Sequence, residues 1–242
     1  MVKILDKREL DLLLKKFASN FPLIINLSNQ KGGVGKSILA YNIADAFRIL
    51  GFKVRLLDLD NQRTCSMLNR LRENPFTDIE RVLEEEKFIE RINNSYSDGS
   101  EILVIDTCSF DSALFRLAIM GADINLTPMS DKVTELLAVT QTYSQILKEL
   151  ERDTDNALSA HILLNRIHSS TRHFEHIESL IESNSKMSMV KSIVRNRSIY
   201  DKSLIDGRTI FEAESLKGYS EAKDEILSLC YELIKIDIKR RG

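Results

Sequence analysis

Lys31 and Lys36 enclose Gly32, Gly33, Val34 and Gly35, and Ser37 follows directly. A glycine-rich stretch of this kind turns successive backbone N–H groups into one concavity, where they bind phosphate oxygens. A lysine in that setting reaches the β- and γ-phosphates, and the serine hydroxyl ligates Mg²⁺. The candidate nucleotide contacts are therefore Lys31, Gly32, Gly33, Val34, Gly35, Lys36, Ser37 and Ile38. Three aspartates are placed for further chemistry. Asp58 and Asp60 lie in Leu56-Leu57-Asp58-Leu59-Asp60-Asn61-Gln62, and Asp106 closes the apolar run Ile102-Leu103-Val104-Ile105. A carboxylate at such a strand end can hold a water of a Mg²⁺ shell.

These residues need elements to hold them. The apolar run Leu23-Ile24-Ile25-Asn26-Leu27 precedes the glycines, and Ile38, Leu39, Ile43, Ala44, Phe47 and Leu50 recur behind them with helical period. That reads as strand, loop and helix, and the helix start adds partial positive charge at the phosphates. Further strands are expected at Val54–Asp58, Ile102–Asp106, Ile124–Thr127, His161–Asn165 and Val190–Val194. Helical patterns fall at 36–50, 111–121, 132–150, 172–183 and 221–237. Apolar strands alternating with helices predict an α/β fold, a mostly parallel twisted sheet with helices on both faces. Ligands in such folds bind beyond the carboxyl ends of the strands, where the loop lies. Residues 78–91, with Glu84-Glu85-Glu86, read as an acidic helix with a solvated face. Residues 4–17 carry a helical period of their own, which divides the chain into an N-terminal helical extension, 1–22, and one domain, 23–242.

At 242 residues and 43% hydrophobic, the chain can bury one sizeable core. The net charge of −2 gives no global attraction to nucleic acid, so any such binding needs a local basic patch. Cys65, Cys108 and Cys230 are odd in number and widely spaced, as expected of reduced thiols in a cytoplasmic protein. His168, His173 and His176 match no zinc spacing and read as surface residues. The first twenty or so residues lack the apolar core of a signal peptide, and no run is long enough to span a bilayer.

A strict phosphate-binding loop has glycine where this chain has Gln30. The order Lys-Gly-Gly-x-Gly-Lys-Ser instead resembles the "deviant Walker A" loop of the ParA/MinD family, and the likeness extends over roughly residues 23 to 238. The resemblance implies a P-loop NTPase fold, ATP and Mg²⁺. It implies that Lys31 crosses a dimer interface to the partner's nucleotide and that Lys31, Lys36 and Asp60 are catalytic, with Asp60 positioning the attacking water. Ser37, Asp58 and Asp106 would serve the metal. Asn61 and the stretch Thr107-Cys108-Ser109 stand where family members often carry prolines. Asn165 and Arg166 end a strand whose counterpart contacts the adenine in related proteins, and a side-chain amide offers the base a donor and an acceptor. Arg195 lies in a segment that lines the base in that family.

Within the family, the chain looks most like the small ParA-type partition proteins, through Asp60-Asn61-Gln62 and its length. The nitrogenase-iron-protein branch needs cysteine pairs that this chain lacks. The MinD branch ends in a separate membrane-targeting helix, whereas Glu221–Ile238 reads as a last core helix. The resemblance implies an ATP-dependent homodimer, non-specific double-stranded DNA, a ParB-like centromere-binding partner and a cytoplasmic, nucleoid-associated protein without stable membrane insertion. Residues 186–208 hold Lys186, Lys191, Arg195, Arg197, Lys202 and Arg208 against Asp201 and Asp206. Arg195, Arg197 and Lys202 are the candidate DNA contacts, with ordinary solvated charge the alternative. Two further readings stay open: a MinD-like membrane-surface positioning ATPase, and a regulatory ATPase for secretion or cellulose synthesis.

Overall fold

Strand β1, Leu23–Leu27, is buried at every position. A strand covered on both faces has no polar side to alternate with, hence its continuous apolar character. The computed structural model describes residue 17 and residues 22–76, 78–154 and 157–242. Apart from Phe17 and Pro22, the expected extension 1–22 and its helix lie outside the described residues. Phe17 packs edge-on against Phe52, with ring centroids 5.3 Å apart.

The remaining strands are β2 Val54–Asp58, β3 Ile79–Arg81, β4 Ile102–Asp106, β5 Ile124–Met129, β6 Ala160–Ile167 and β7 Met187–Arg195. They form one seven-stranded sheet in the order β3-β2-β4-β1-β5-β6-β7. Every pairing is parallel. Helices α1 Lys36–Ile49, α2 Thr64–Leu71, α3 Glu85–Ser95, α4 Ala113–Gly121, α5 Val133–Leu137, α6 Ser144–Thr154, α7 Glu175–Glu182, α8 Ser198–Ser203 and α9 Tyr219–Arg241 connect and cover it. On one face Leu23, Ile25, Leu56 and Val104 pack with Leu39, Ile43 and Phe47 of α1 and with Ile226 and Leu233 of α9. On the other, Ile24, Leu57, Leu103 and Ile105 pack with Phe88 of α3 and Ala118 of α4. Alternate residues of one strand thus enter separate cores.

The register sets up the site. Leu27 lies opposite Asp106, and Asp106 lies opposite Asp58. Two carboxylates therefore end side by side directly below the loop that leaves β1.

The acidic segment 78–91 is not one helix. Ile79–Arg81 is an edge strand paired with β2, Leu56 opposite Ile79, and the helix starts only at Glu85. Three residues are too few to show a strand's period, so the charges of α3 dominated the pattern. Helix α2 escaped notice because it buries only Cys65 and Asn69. The run expected at 132–150 is helical but contains a π-helical stretch, Ala138–Tyr143, between α5 and α6. Helix α9 runs to Arg241, beyond the expected 221–237. Its last turn is tied down beside the sheet by Arg240, which pairs with Asp123 just before β5 at 2.7 Å, while Arg241 pairs within the helix with the buried Asp237 at 2.6 Å.

Gly207 holds a tight corner shortly after α8, packed against α1 and α2, with φ 71°. Its carbonyl accepts the Tyr41 hydroxyl at 2.8 Å, and a Cβ built there would meet the Leu68 carbonyl at 2.1 Å. Left-handed strain and a backbone collision act together. Gly207→Ala should cost about 3 kcal/mol or more, read as a lowered midpoint in urea denaturation. An unchanged midpoint would mean that the corner relaxes freely.

Candidate nucleotide site

Gly33 and Gly35 adopt left-handed conformations, φ 78° and 92°, and Gly35 is the N-cap of α1. Both conformations bend the loop so that it wraps the start of the helix, where unpaired N–H groups and the helix dipole favour anions. Gly35 is also crowded. A Cβ there would lie 2.6 Å from the Asn165 amide nitrogen.

Lys36 is drawn into this concavity and is 5% exposed. Its ammonium donates to the Asn29 carbonyl at 2.9 Å, the Ser109 hydroxyl at 2.7 Å and the Lys31 carbonyl at 3.3 Å. Burial lowers its pKa, and the nearby Asp106 and Asp60 carboxylates oppose that shift. These three neutral oxygens hold the lysine where phosphate oxygens would replace them. Lys31 behaves differently. Its side chain is 39% exposed, and its ammonium pairs with Glu135 at 3.1 Å.

Beneath the loop, Asp106 is fully buried. Burial pushes its carboxyl up to about 7; Asp58 adds to the rise, while Ser37, Cys65 and Lys36 oppose it. Its Oδ1 has no hydrogen-bond partner among the described residues. A buried carboxylate oxygen without a donor, next to the Ser37 hydroxyl, fits a hydrated Mg²⁺. Ser37 and Asp106 are the residues that would hold it. Asp58 is occupied otherwise: its Oδ2 accepts the Ser66 N–H at 2.8 Å and hydroxyl at 2.7 Å. It caps the first turn of α2, so it ties the segment after β2 to the site. Asp60 is half-buried, and its Oδ1 accepts the Gln62 N–H at 2.8 Å.

The residues expected at the base converge. Gly35, Ile38, Asn165, Arg166, Arg195 and Tyr200 line a narrow cleft of about 30 Å³ beside the loop. Asn165 donates to the Val34 carbonyl at 2.7 Å, and Arg166 donates to the Gly33 carbonyl. The basic segment is less free than its composition suggests. Arg195 donates to the His168 and Thr171 carbonyls at 3.1 and 2.9 Å. Glu225 holds Arg197 at 2.6 Å, Glu151 holds Lys186, and Asp206 holds Arg208 at 2.8 Å. Lys191 and Lys202 are exposed. His168, His173 and His176 are exposed as well.

Several site residues carried no readable signal. Glu135 lies far from the loop in sequence, on a separate helix. Ser109 appeared only as a missing proline. Cys65, which donates to both the Ser37 carbonyl and the Asp106 carboxylate at 3.4 Å, looked like a core thiol. Burial holds that thiol well above its usual pKa, so it stays protonated.

The CobQ/CobB/MinD/ParA nucleotide binding domain model matches residues 25–210. The chain belongs to this family. Among curated relatives, the maintenance of carboxysome distribution protein A of Halothiobacillus neapolitanus is 26% identical over 219 residues, covering 90% of this chain and 99% of that protein. Protein ParA of Rhizobium radiobacter is 24% identical over 207 residues, covering 84% and 91%. The septum site-determining protein MinD of Pyrococcus horikoshii, solved with Mg-ADP, shares the fold with a TM-score of 0.60 at 15% identity, covering 86% of this chain and 94% of that one. The expected deviant-Walker-A family and its P-loop α/β fold are therefore correct, and the sheet is wholly parallel among the described residues.

Proposed function

We propose that this chain is an ATP-dependent DNA-partition ATPase. ATP closes a sandwich homodimer, the dimer binds double-stranded DNA without sequence preference, and a ParB-like centromere-binding partner stimulates hydrolysis and release. The observation that carries this reading is the division between the two loop lysines. Lys36 is buried within the concavity, whereas Lys31 is half-exposed and turned outward to Glu135. One is built to bind its own nucleotide, the other to be passed on.

In the reaction a water attacks the γ-phosphorus, the bond to the bridging β–γ oxygen breaks, and ADP and phosphate leave. The water's proton passes to solvent or phosphate. Asp60 orients that water, and Lys36 and the partner subunit's Lys31 offset charge on the transferred group. Ser37 and Asp106 would hold Mg²⁺, which would supply charge neutralisation when bound. Asn165 and Arg166 lie at the base cleft, with Arg195 in its wall.

DNA contact falls chiefly to Lys202, with Lys191 beside it in the basic segment. Arg195 and Arg197 are engaged with backbone carbonyls and Glu225, so they shape the cleft first and reach phosphates only if released. Duplex DNA should co-sediment with the protein in ATP and much less in ADP, and binding should weaken steeply with salt. Lys202→Glu should weaken binding uniformly across sequences and flatten the log–log salt slope by about 1 per lost phosphate contact. Unchanged binding would move the patch elsewhere.

The membrane-surface positioning reading draws support from the MinD likeness in fold. No described helix is long and apolar enough to cross a membrane. Sedimentation with anionic vesicles and not with DNA would put that reading first.

A further inference from the structure

We propose that Cys65 is a positioning residue for Asp106, fixing one carboxylate oxygen so that the other is free for a cation; this rests on the reading of Asp106 as a metal partner. Cys65 is fully buried. Its Sγ lies 3.4 Å from the Asp106 Oδ2 and 3.4 Å from the Ser37 carbonyl. A thiol has one hydrogen to give. Ser37 belongs to α1, where a carbonyl receives the N–H four residues further on. The thiol hydrogen is therefore available to Asp106.

Asp106 needs such a hold. It ends β4 directly opposite Asp58 at the end of β2. Two buried carboxylates side by side repel, and each must find donors of its own. Asp58 has three: the Ser66 N–H and hydroxyl on Oδ2, and the Asp60 N–H on Oδ1 at 3.3 Å. Asp106 has the Cys65 thiol on Oδ2, and its Oδ1 has no partner among the described residues. Fixing Oδ2 makes Oδ1 the oxygen that awaits a ligand.

The two grips come from consecutive residues. Cys65 takes Asp106 and Ser66 takes Asp58, both from the first turn of α2. Helix α2 is thus a common mount for the two carboxylates that end β2 and β4. The thiol is a holder and not a ligand, because Mg²⁺ takes oxygen ligands. Ser37 is the neighbour whose oxygen would serve the cation, and Cys65 is the one that stays with the carboxylate. The other two thiols are placed elsewhere: Cys108 lies 3.4 Å from the Phe110 carbonyl, and Cys230 lies in the core beneath α1 and α9.

The test uses the full chain with ADP and takes Mn²⁺ as the probe, whose free-ion signal in electron paramagnetic resonance is lost on binding. Cys65→Ala should raise the Mn²⁺ dissociation constant of the protein–ADP complex about two- to tenfold, the range of one net hydrogen bond. Cys65→Ser, which keeps a donor, should lie nearer the wild type than Cys65→Ala does. ADP affinity in EDTA should be equal in all three proteins. Unchanged Mn²⁺ affinity in Cys65→Ala overturns the positioning role. A serine variant as weak as the alanine variant overturns it as well, by assigning the effect to lost volume. A matching loss of ADP affinity in EDTA overturns it by placing the effect in the loop. If Cys65→Ala does not fold, the infrared S–H stretch decides. The band that disappears in Cys65→Ser should lie below that of an unbonded thiol and move upward when Mn²⁺ and ADP bind, as the cation draws charge from Asp106. A band at the unbonded position overturns the positioning role. A wild-type protein–ADP complex that takes up no more Mn²⁺ than ADP alone refutes the metal reading itself, and the wild-type sample alone identifies that case.

Discussion

Replacing Lys36 with alanine should abolish ATP binding at working concentrations. The side chain is buried, and every partner its ammonium has is a neutral oxygen at the mouth of the phosphate concavity. None of these needs a cation, whereas the triphosphate does. Hydrogen bonds to charged groups are each worth about 1.5–3 kcal/mol. Two such contacts to β- and γ-oxygens amount to a loss of roughly 10²- to 10⁴-fold in affinity. The change also removes a cation that opposes the rise in the Asp106 pKa, so that carboxyl becomes harder to ionise and poorer as a metal partner. Equilibrium dialysis with labelled ATP gives the affinity, and thermal melting without nucleotide shows whether the fold persists. Lys36→Gln keeps hydrogen-bond donors for Asn29 and Ser109 without the charge. It should melt like the wild type yet bind no ATP. If either variant binds ATP as the wild type does, the loop is not a phosphate site.

The strands that matter most were readable because they are buried on both faces: β2 and β4 appear with the expected ends, Val54–Asp58 and Ile102–Asp106. Asp106 closes one of these strands, a common strand ending that pointed to a metal only because a phosphate loop lies upstream. Asp58 and Asp60 were legible as a pair but not in their division of labour. Only the three-dimensional fold shows that Asp58 Oδ2 accepts from Ser66 and its Oδ1 from the Asp60 N–H, while Asp60 Oδ1 accepts from Gln62. The edge strand β3 was hidden by its length and by the charge of its neighbours. The basic stretch 186–208 shows a different limit. Sequence counts charges but cannot count partners, and Glu225, Glu151 and Asp206 come from other parts of the chain or from the same turn. Glu135 was invisible on the same ground: an ion pair between residues 104 apart leaves no local pattern.

Lys31→Ala should keep ATP affinity within about tenfold, or roughly 1.4 kcal/mol, and lose partner-stimulated hydrolysis by about a thousandfold or more, the range of a charge supplied in trans to phosphoryl transfer. The small first effect follows from where the ammonium sits. It is half-exposed and pairs with Glu135, so its removal takes no donor from the concavity that Lys36 fills. The large second effect follows from a charge delivered to the transferred group, and whether it comes from the same subunit or the other one is a separate question. Mixing two inactive variants, Lys31→Ala and Asp60→Ala, decides that point. In a mixed dimer the Lys31→Ala subunit still has its own Asp60 to orient water and receives Lys31 from its partner, so one of its two sites is complete. Random pairing of equal amounts then restores about a quarter of the wild-type sites, as symmetry between the two subunits requires. A lysine acting within its own subunit restores nothing on mixing, because the Asp60→Ala subunit has the lysine but no water-positioning carboxylate. Steady-state phosphate release from each variant alone and from the mixture therefore separates a trans lysine from an ordinary loop residue. Full activity in Lys31→Ala alone would leave a plain P-loop protein and remove the basis for reading this chain as a partition ATPase.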